Sequence, residues 1–296
     1  MKNIWKKCRK AFPFLLLAAV ILTVAFYPAP QESQRATAKI VSVWNVDTFE
    51  GGKGSRTSFL KRVARLAEKS SGETYYRVIS YTAEGARAAM LDGEYPDILS
   101  FGVGLEVEVA RCVSLGRTFA GNSLAVPWCR GKYYLFSLTD DFDENGETAV
   151  SVGGNNLSCA AAYFSGIEGT ERESLAAYLS FLNGEFRYLL GTQRDSNRFN
   201  SRGVTVYSRE LSAYCDLYQY VCIFSEDVKK ECRLFLDVLF SDDIQSSLTD
   251  IGMFPAEGAS GRTVDVFSTR ETLGQAAEAV RSGSSEKNAE KYFKSV

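Results

Sequence analysis

The sequence predicts an α/β fold in which mainly parallel sheets are flanked by helices. Three observations predict it. Between residues 39 and 101, short apolar runs alternate with helical periodicities in the order β-α-β-α-β. Such alternation calls for right-handed crossovers that lay helices on the faces of a parallel sheet. The apolar fraction is 45%, that of an ordinary globular chain. Roughly 260 residues follow the N-terminal leader, enough for two lobes with a core each.

Each element has its own warrant. Residues 39–46 (KIVSVWNV) read as a strand, and 75–81 (YYRVISY) and 97–101 (DILSF) as two more. Between them, Phe59, Leu60, Val63, Ala64 and Ala67 share one face of a helix over 55–69, which Gly72 ends. A shorter helix covers 83–91. From about residue 119 the texture changes: strands are expected at 123–126, 133–137, 149–153, 203–207 and 217–224. Helices are expected at 171–182, 229–241 and 268–281, the last opened by a capping box from Ser268 to Glu271. No internal repeat is visible in the sequence.

The first 30 residues read as an export leader. Lys2, Lys6, Lys7, Arg9 and Lys10 precede an apolar run from Phe14 to Tyr27, and Pro28 and Pro30 follow it. The run is slightly short of the ~20 apolar residues of a membrane span. A cleaved signal and a short uncleaved anchor both fit it, with the basic flank left in the cytoplasm. No Cys follows the run, so lipid attachment is not expected. Residues 31–38 form a polar tether, and the remainder is expected outside the cytoplasm.

Composition excludes several chemistries. The chain has no histidine, which removes the commonest general base and zinc ligand. No CxxC occurs, so neither a zinc ribbon nor a thioredoxin-like motif is expected, and no metal or cofactor is. Residues 39–296 carry 28 basic and 35 acidic groups, a net charge of −7, which disfavours nucleic acid as a partner. Six cysteines lie in this part; disulfides are permitted outside the cytoplasm, but their spacing suits buried apolar fillers.

In parallel sheets ligands sit at the carboxyl ends of strands. Trp44, Asp47 and Glu50 stand at such an end, where an indole can stack on a sugar face and carboxylates can bond hydroxyls. The following Gly51-Gly52-Lys53-Gly54 lacks the residues of a phosphate loop; its amides could hold an anion, and a plain opening turn explains the same glycines. Asn155 and Asn156 follow Gly153-Gly154 in a loop where backbone can approach a ligand. Gln193, Arg194 and Asp195, with Arg198, form the densest polar cluster and could bracket a polyol or a carboxylate. Tyr218 and Tyr220, near Asp216, share one strand face and suit core packing.

Four stretches resemble the extracellular solute-binding proteins of bacterial ABC importers, in the type II class that includes many sugar binders. They are residues 39–69, EYPDILSFG (94–102), LLGTQRDSNRF (189–199) and FLDVLFSDDIQSSLTDIGMFPA (235–256). The resemblance implies a two-lobed type II periplasmic-binding-protein-like fold. Each lobe would be a mainly parallel sheet flanked by helices, and crossing strands would join the lobes. It implies lobe 1 at 39–118 with 216–253, and lobe 2 at 119–215 with 254–296. It implies that a small polar solute, a carbohydrate above all, binds in the cleft of a monomer that delivers it to importer permease subunits without chemistry. Carried over by position, Trp44, Asp47 and Glu50 face the cleft from lobe 1. Trp128, Arg130, Asn155, Asn156, Gln193, Arg194 and Asp195 face it from lobe 2 or at the junction. The chain departs from the class in lacking a Cys after the apolar run and in being short. Two other readings of the same residues are a membrane-tethered sensor or protein-interaction module, and a hydrolase using Asp47 with Glu50 or Asp195 with Glu84.

Overall fold

The computed structural model describes residues 38–142, 146–283 and 291–296, together with Leu17. The chain divides into two units, Met1–Ala38 and Lys39–Val296. Apart from Leu17 and Ala38, the leader and tether lie outside the described residues. Among the described residues no helix is long and apolar enough to cross a membrane.

The second unit opens as the periodicities predict: β1 (Lys39–Val46), α1 (Arg56–Ser71), β2 (Thr74–Tyr81), α2 (Ala83–Leu91) and β3 (Ile98–Phe101). The Ser55 hydroxyl caps α1 by accepting from the Ser58 amide at 3.2 Å, and Gly72 ends it at φ 68°, a conformation that glycine adopts without strain. The expected stripe, Phe59, Leu60, Val63, Ala64 and Ala67, is buried. Then come β4 (Val126–Arg130), β5 (Tyr133–Ser137), β6 (Thr148–Val152), α3 (Ser158–Phe164), β7 (Thr170–Glu173), α4 (Ser174–Leu182), β8 (Tyr188–Thr192), α5 (Gln193–Ser201), β9 (Tyr207–Leu211) and β10 (Tyr218–Ile223). The chain ends with α6 (Lys229–Leu239), α7 (Asp242–Ser246), β11 (Arg262–Val264), α8 (Arg270–Arg281) and β12 (Phe293–Ser295).

Two five-stranded sheets result, ordered β2-β1-β3-β10-β4 and β7-β6-β8-β5-β9; β11 and β12 pair separately. In each large sheet one strand runs against its neighbours, β10 in the first and β5 in the second. These two are the crossing strands. β5 follows β4 of the first sheet after Gly131 and Lys132, and β10 follows β9 of the second after residues 212–217. A strand arriving from the other lobe enters at the carboxyl ends of the resident strands and must run away from them. The same strand order therefore appears twice although the sequence shows no repeat.

Several expectations are corrected. β4 lies in the first sheet, whereas a boundary at 119 assigned it to the second lobe; pairing with β10 and packing of Trp128 on Phe59 of α1, with ring centroids 5.5 Å apart, hold it there. The helix expected from 171 begins at Ser174, because Glu173 turns its carboxylate back onto the amides of Leu175 and Ala176. The preceding residues form β7, an edge strand exposed throughout. The strand expected at 203–207 lies at Tyr207–Leu211. Thr269, not Ser268, caps α8. The six cysteines are free thiols, and all but Cys112 are buried, as apolar fillers should be.

Both crossings are tied to one another. The Gln193 side chain accepts from the Lys132 amide at 2.8 Å, and the Gln193 amide donates to the Lys132 carbonyl at 3.1 Å. A Cβ at Gly131 would lie 2.6 Å from that side chain, so a larger residue at the first crossing would push Gln193 off the Lys132 amide. At the second, buried Asp216 accepts from the Tyr133 hydroxyl of β5 at 2.8 Å and from the Leu157 amide before α3 at 2.6 Å. Burial pushes the Asp216 carboxyl up to about 6, against the pull of these donors. The folded protein thus holds that proton where the unfolded chain, at its ordinary 3.8, has lost it. This contribution to stability is full below pH 3.8 and disappears as pH rises to about 6. We predict that the unfolding free energy of the wild type, relative to Asp216→Asn, falls by about 3 kcal/mol across this window and is level above it. Urea titrations at stepped pH measure it; a level difference throughout would mean that Asp216 folds ionised.

Candidate functional site between the lobes

The carboxyl ends of β1, β6 and β8 converge with the first residues of α1, α4 and α5 around a cavity of about 550 Å³. That volume is in the range of small-molecule sites.

The first-lobe wall grows out of a buried polar chain. The Trp128 indole donates to the Ser100 hydroxyl (3.1 Å), which donates to the Asn45 side-chain oxygen (2.9 Å). Gln219 of β10 donates to the same oxygen at 3.3 Å and to the Val46 carbonyl at 3.0 Å. Four strands are pinned in register by this network. Its outer end reaches the cleft: the Asn45 amide donates to Asp47 Oδ1 at 2.9 Å. Arg56, in the first turn of α1, places Nε 2.9 Å from the same oxygen. Its Nη2 donates to the Phe49 carbonyl at 2.5 Å, and its guanidinium lies 4.2 Å over the Phe49 ring. Arg56 is only 3% exposed, so its end of the ion pair is poorly solvated, while Asp47 is 43% exposed to the cleft.

The second-lobe wall is built on α5. Thr192 and Asp195 form a capping box, with the Asp195 carboxylate accepting from the Thr192 amide at 3.0 Å. That geometry turns Arg194 into the cleft, where its Nη2 donates to the Ser174 hydroxyl and to Ser151 at 3.4 Å. Across the cleft, Arg194 Nη1 reaches Glu50 Oε2 at 2.8 Å, and Arg198 Nη2 stands 3.8 Å from the same oxygen. Burial alone would lower the Arg194 guanidinium, but Asp195 and Glu50 outweigh it and hold the group above its ordinary value.

Of the residues expected here, Asp47, Glu50, Asn156 and Arg194 line the cavity. Asn155 stands beside it, its amide donating to the Val103 carbonyl at 3.4 Å. The others are elsewhere. Trp44 is buried with its ring 4.3 Å from that of Tyr81, and Trp128 is fully buried behind α1. Arg130 exchanges backbone hydrogen bonds with Phe254 and donates to the Pro255 carbonyl at 3.1 Å. Gln193 secures the first crossing, and Asp195 is the buried cap of α5. Burying an indole in an apolar core outweighs offering it to solvent at a strand end, which is why the two tryptophans moved inward. The glycine loop takes a third form. The Lys53 and Gly54 amides donate to the Ile251 carbonyl, and a Cβ at Gly52 would lie 2.3 Å from the Gly252 carbonyl. Those glycines serve a backbone-to-backbone approach, and the two amides are not offered to an anion.

Sequence reasoning missed Arg56, Thr48, Ser151, Glu173 and Ser174 as cavity-lining residues. Arg56 alone left a signal, as a cation in the first turn of a helix that follows a strand end. The carboxylates proposed for hydrolysis are each held by other groups. Asp47 is engaged by Asn45 and Arg56, Glu50 by Arg194, and Glu173 by two amides. Glu84 pairs with Arg270 at 3.0 Å, and Asp195 is internal. Among the described residues no cluster of three His, Cys, Asp or Glu side chains could hold a metal.

The fold is that of a type II periplasmic binding protein. Among solved structures, the apo form of RafE from Streptococcus pneumoniae matches with TM-score 0.51 at 11% identity, over 86% of this chain and 96% of that one. A protein from Clostridium difficile, described as a substrate-binding domain of a molybdenum ABC transporter, matches with TM-score 0.50 at 9% identity, over 74% and 99%. At such identities the likeness is one of fold. No family model and no curated protein matches the sequence.

The Arg56–Asp47 pair, buried at the arginine and 43% exposed at the aspartate, yields a test. Asp47→Ala leaves a guanidinium buried without its carboxylate; with the aspartate partly solvated, the expected cost in urea unfolding is about 1–2 kcal/mol, between that of an exposed and a buried pair. Asp47→Asn keeps an oxygen acceptor and should cost less. Equal, small costs would mean that the Arg56 site relaxes to admit water.

Proposed function

We propose that this chain is an extracytoplasmic solute-binding protein. It captures a small polar solute between its lobes, without chemical conversion, and presents the closed form to the permease of an ABC importer. One observation carries the reading: a cavity of about 550 Å³ at the carboxyl ends of both sheets, bridged by the Glu50–Arg194 contact. Residues on opposite lobes can both touch a solute there, so binding favours closure. The lobes are taken as 39–118 with 216–253, and 119–215 with 254–296, with β4 moved to the first. Export rests on the leader read from the sequence.

A carbohydrate was the finer expectation, and its support is weak. Trp44 and Trp128 are in the cores, and among the described residues the one aromatic side chain lining the cleft, Phe49, lies under Arg56. Sugar-stacking platforms are aromatic faces left open. Hydroxyl partners remain in Thr48, Ser151 and Ser174.

Thermal unfolding of the purified chain against sugars, amino acids, carboxylates and inorganic anions tests the proposal. At a hundredfold excess over Kd, one class should raise Tm by about 5 °C or more. A folded sample that responds to none of them would end the solute-binding reading.

A further inference from the structure

We propose that the solute carries an anionic oxygen group, a carboxylate or an inorganic oxyanion, and that Glu50 is an internal occupant of the same subsite. This rests on the solute-binding reading above and narrows it.

Three observations converge. The first is the set of unsatisfied atoms. Arg56 Nη1, Arg194 Nε, Arg198 Nη1 and the Thr48 hydroxyl are buried without a hydrogen bond, Arg198 Nη1 keeping only the Asp195 carboxylate at 3.5 Å, and all four side chains line the cleft. Three are N–H donors on cations, and none is a group that can only accept. Arg56 is 3% exposed and so cannot recover its missing partner from bulk water. Guanidinium donors pair most strongly with anionic oxygens, which they grip as a planar fork.

The second is Glu50 itself. The other cleft carboxylates are held by their own lobes, Asp47 by Asn45 and Arg56, and Glu173 by the amides it caps. Glu50 alone reaches across. Its side chain is 64% exposed, and a single oxygen meets Arg194 at 2.8 Å and Arg198 at 3.8 Å. An anionic oxygen from the first lobe thus already sits between two arginines of the second. A solute oxyanion that displaces it would meet the same pair, with Ser174 and Ser151 beside Arg194.

The third is the direction of the helices. α1, α4 and α5, of 16, 9 and 9 residues, all begin at the cavity. Their N-terminal ends add partial positive charge to the arginines. A neutral ring gains little from this field and finds no open aromatic face.

Calorimetric titration of the whole chain at fixed ionic strength decides the matter, with succinate, L-glutamate, sulfate, phosphate, glucose and maltose as probes. An organic or an inorganic anion should bind, and which of the two binds identifies the source of the oxygen group. Glu50→Gln removes the competing charge and should tighten that anion about two- to fivefold. Arg194→Gln should weaken it about 10- to 100-fold. If Arg194→Gln proves unfolded by circular dichroism, the exposed Glu50→Gln variant carries the test alone. Binding of glucose or maltose without any anion overturns the proposal and leaves solute capture standing. So does an anion whose affinity is unchanged or weaker in Glu50→Gln, since Glu50 would then be no competitor. Absence of binding by every probe to folded protein overturns the proposal and the solute-binding reading together.

Discussion

The double crossing of the chain between the two sheets is the constraint on which the rest depends. β5 opens the second sheet as soon as the chain has crossed, and β10 returns to complete a first sheet otherwise built from residues 39–130. Both crossings take place beside the cleft, so the crossings and the site share their residues. Gln193 closes on Lys132 at one crossing, and its neighbour Arg194 enters the cavity. Asp216 gathers Tyr133 and the Leu157 amide at the other, and Asn156 next to that amide lines the cavity. A carboxylate at such a place resists removal from water, yet it adds a side-chain link where the Gly131 amide already donates to the Leu217 carbonyl between the two crossings. Buried polar groups of this kind commonly mark specificity of arrangement more than stability.

Charge in the cleft is balanced by sign and unequal in mobility. Arg56, Arg194 and Arg198 face Asp47, Glu50 and Glu173. The arginines lie on helices, and Asp47 and Glu173 are locked into hydrogen bonds with their own lobes. Glu50 stands on the loop after β1 and is the most exposed member of the ion pairs that cross the cleft. A cleft arranged in this way has a stiff cationic wall and one mobile anion. Closing the lobes brings them together, and opening them returns Glu50 to water at little cost, since an exposed pair contributes about 0–1 kcal/mol. The walls therefore keep their geometry while the contact between them stays weak enough to break.

Much of the fold was legible because periodicity is a local property. The apolar face of α1, the alternation through β1, β2 and β3, and the glycine that ends α1 all follow from residues close in sequence. Boundaries were less legible where a side chain reached back over its own backbone. Glu173 moved the start of α4, and Thr269 took the capping role that a capping-box spacing gave to Ser268. The site was legible in part. Polar residues at strand ends pointed to Asp47, Glu50, Asn156 and Arg194. Trp44 and Trp128 misled because a tryptophan beside a polar loop reads the same whether its ring faces the ligand or the core.

By itself the sequence determined the α/β class, the strand-end positions where a ligand could sit, and the absence of histidine chemistry. These depend on residue type and short-range spacing. Only the tertiary structure decided which strands changed sheets, that Arg56 belongs to the site, and that Glu50 meets Arg194 across 144 positions of chain. The physical reason is that strand order and salt-bridge partners are set by contacts between distant segments. Each such contact depends on the packing of both lobes, and no local pattern of residues encodes it.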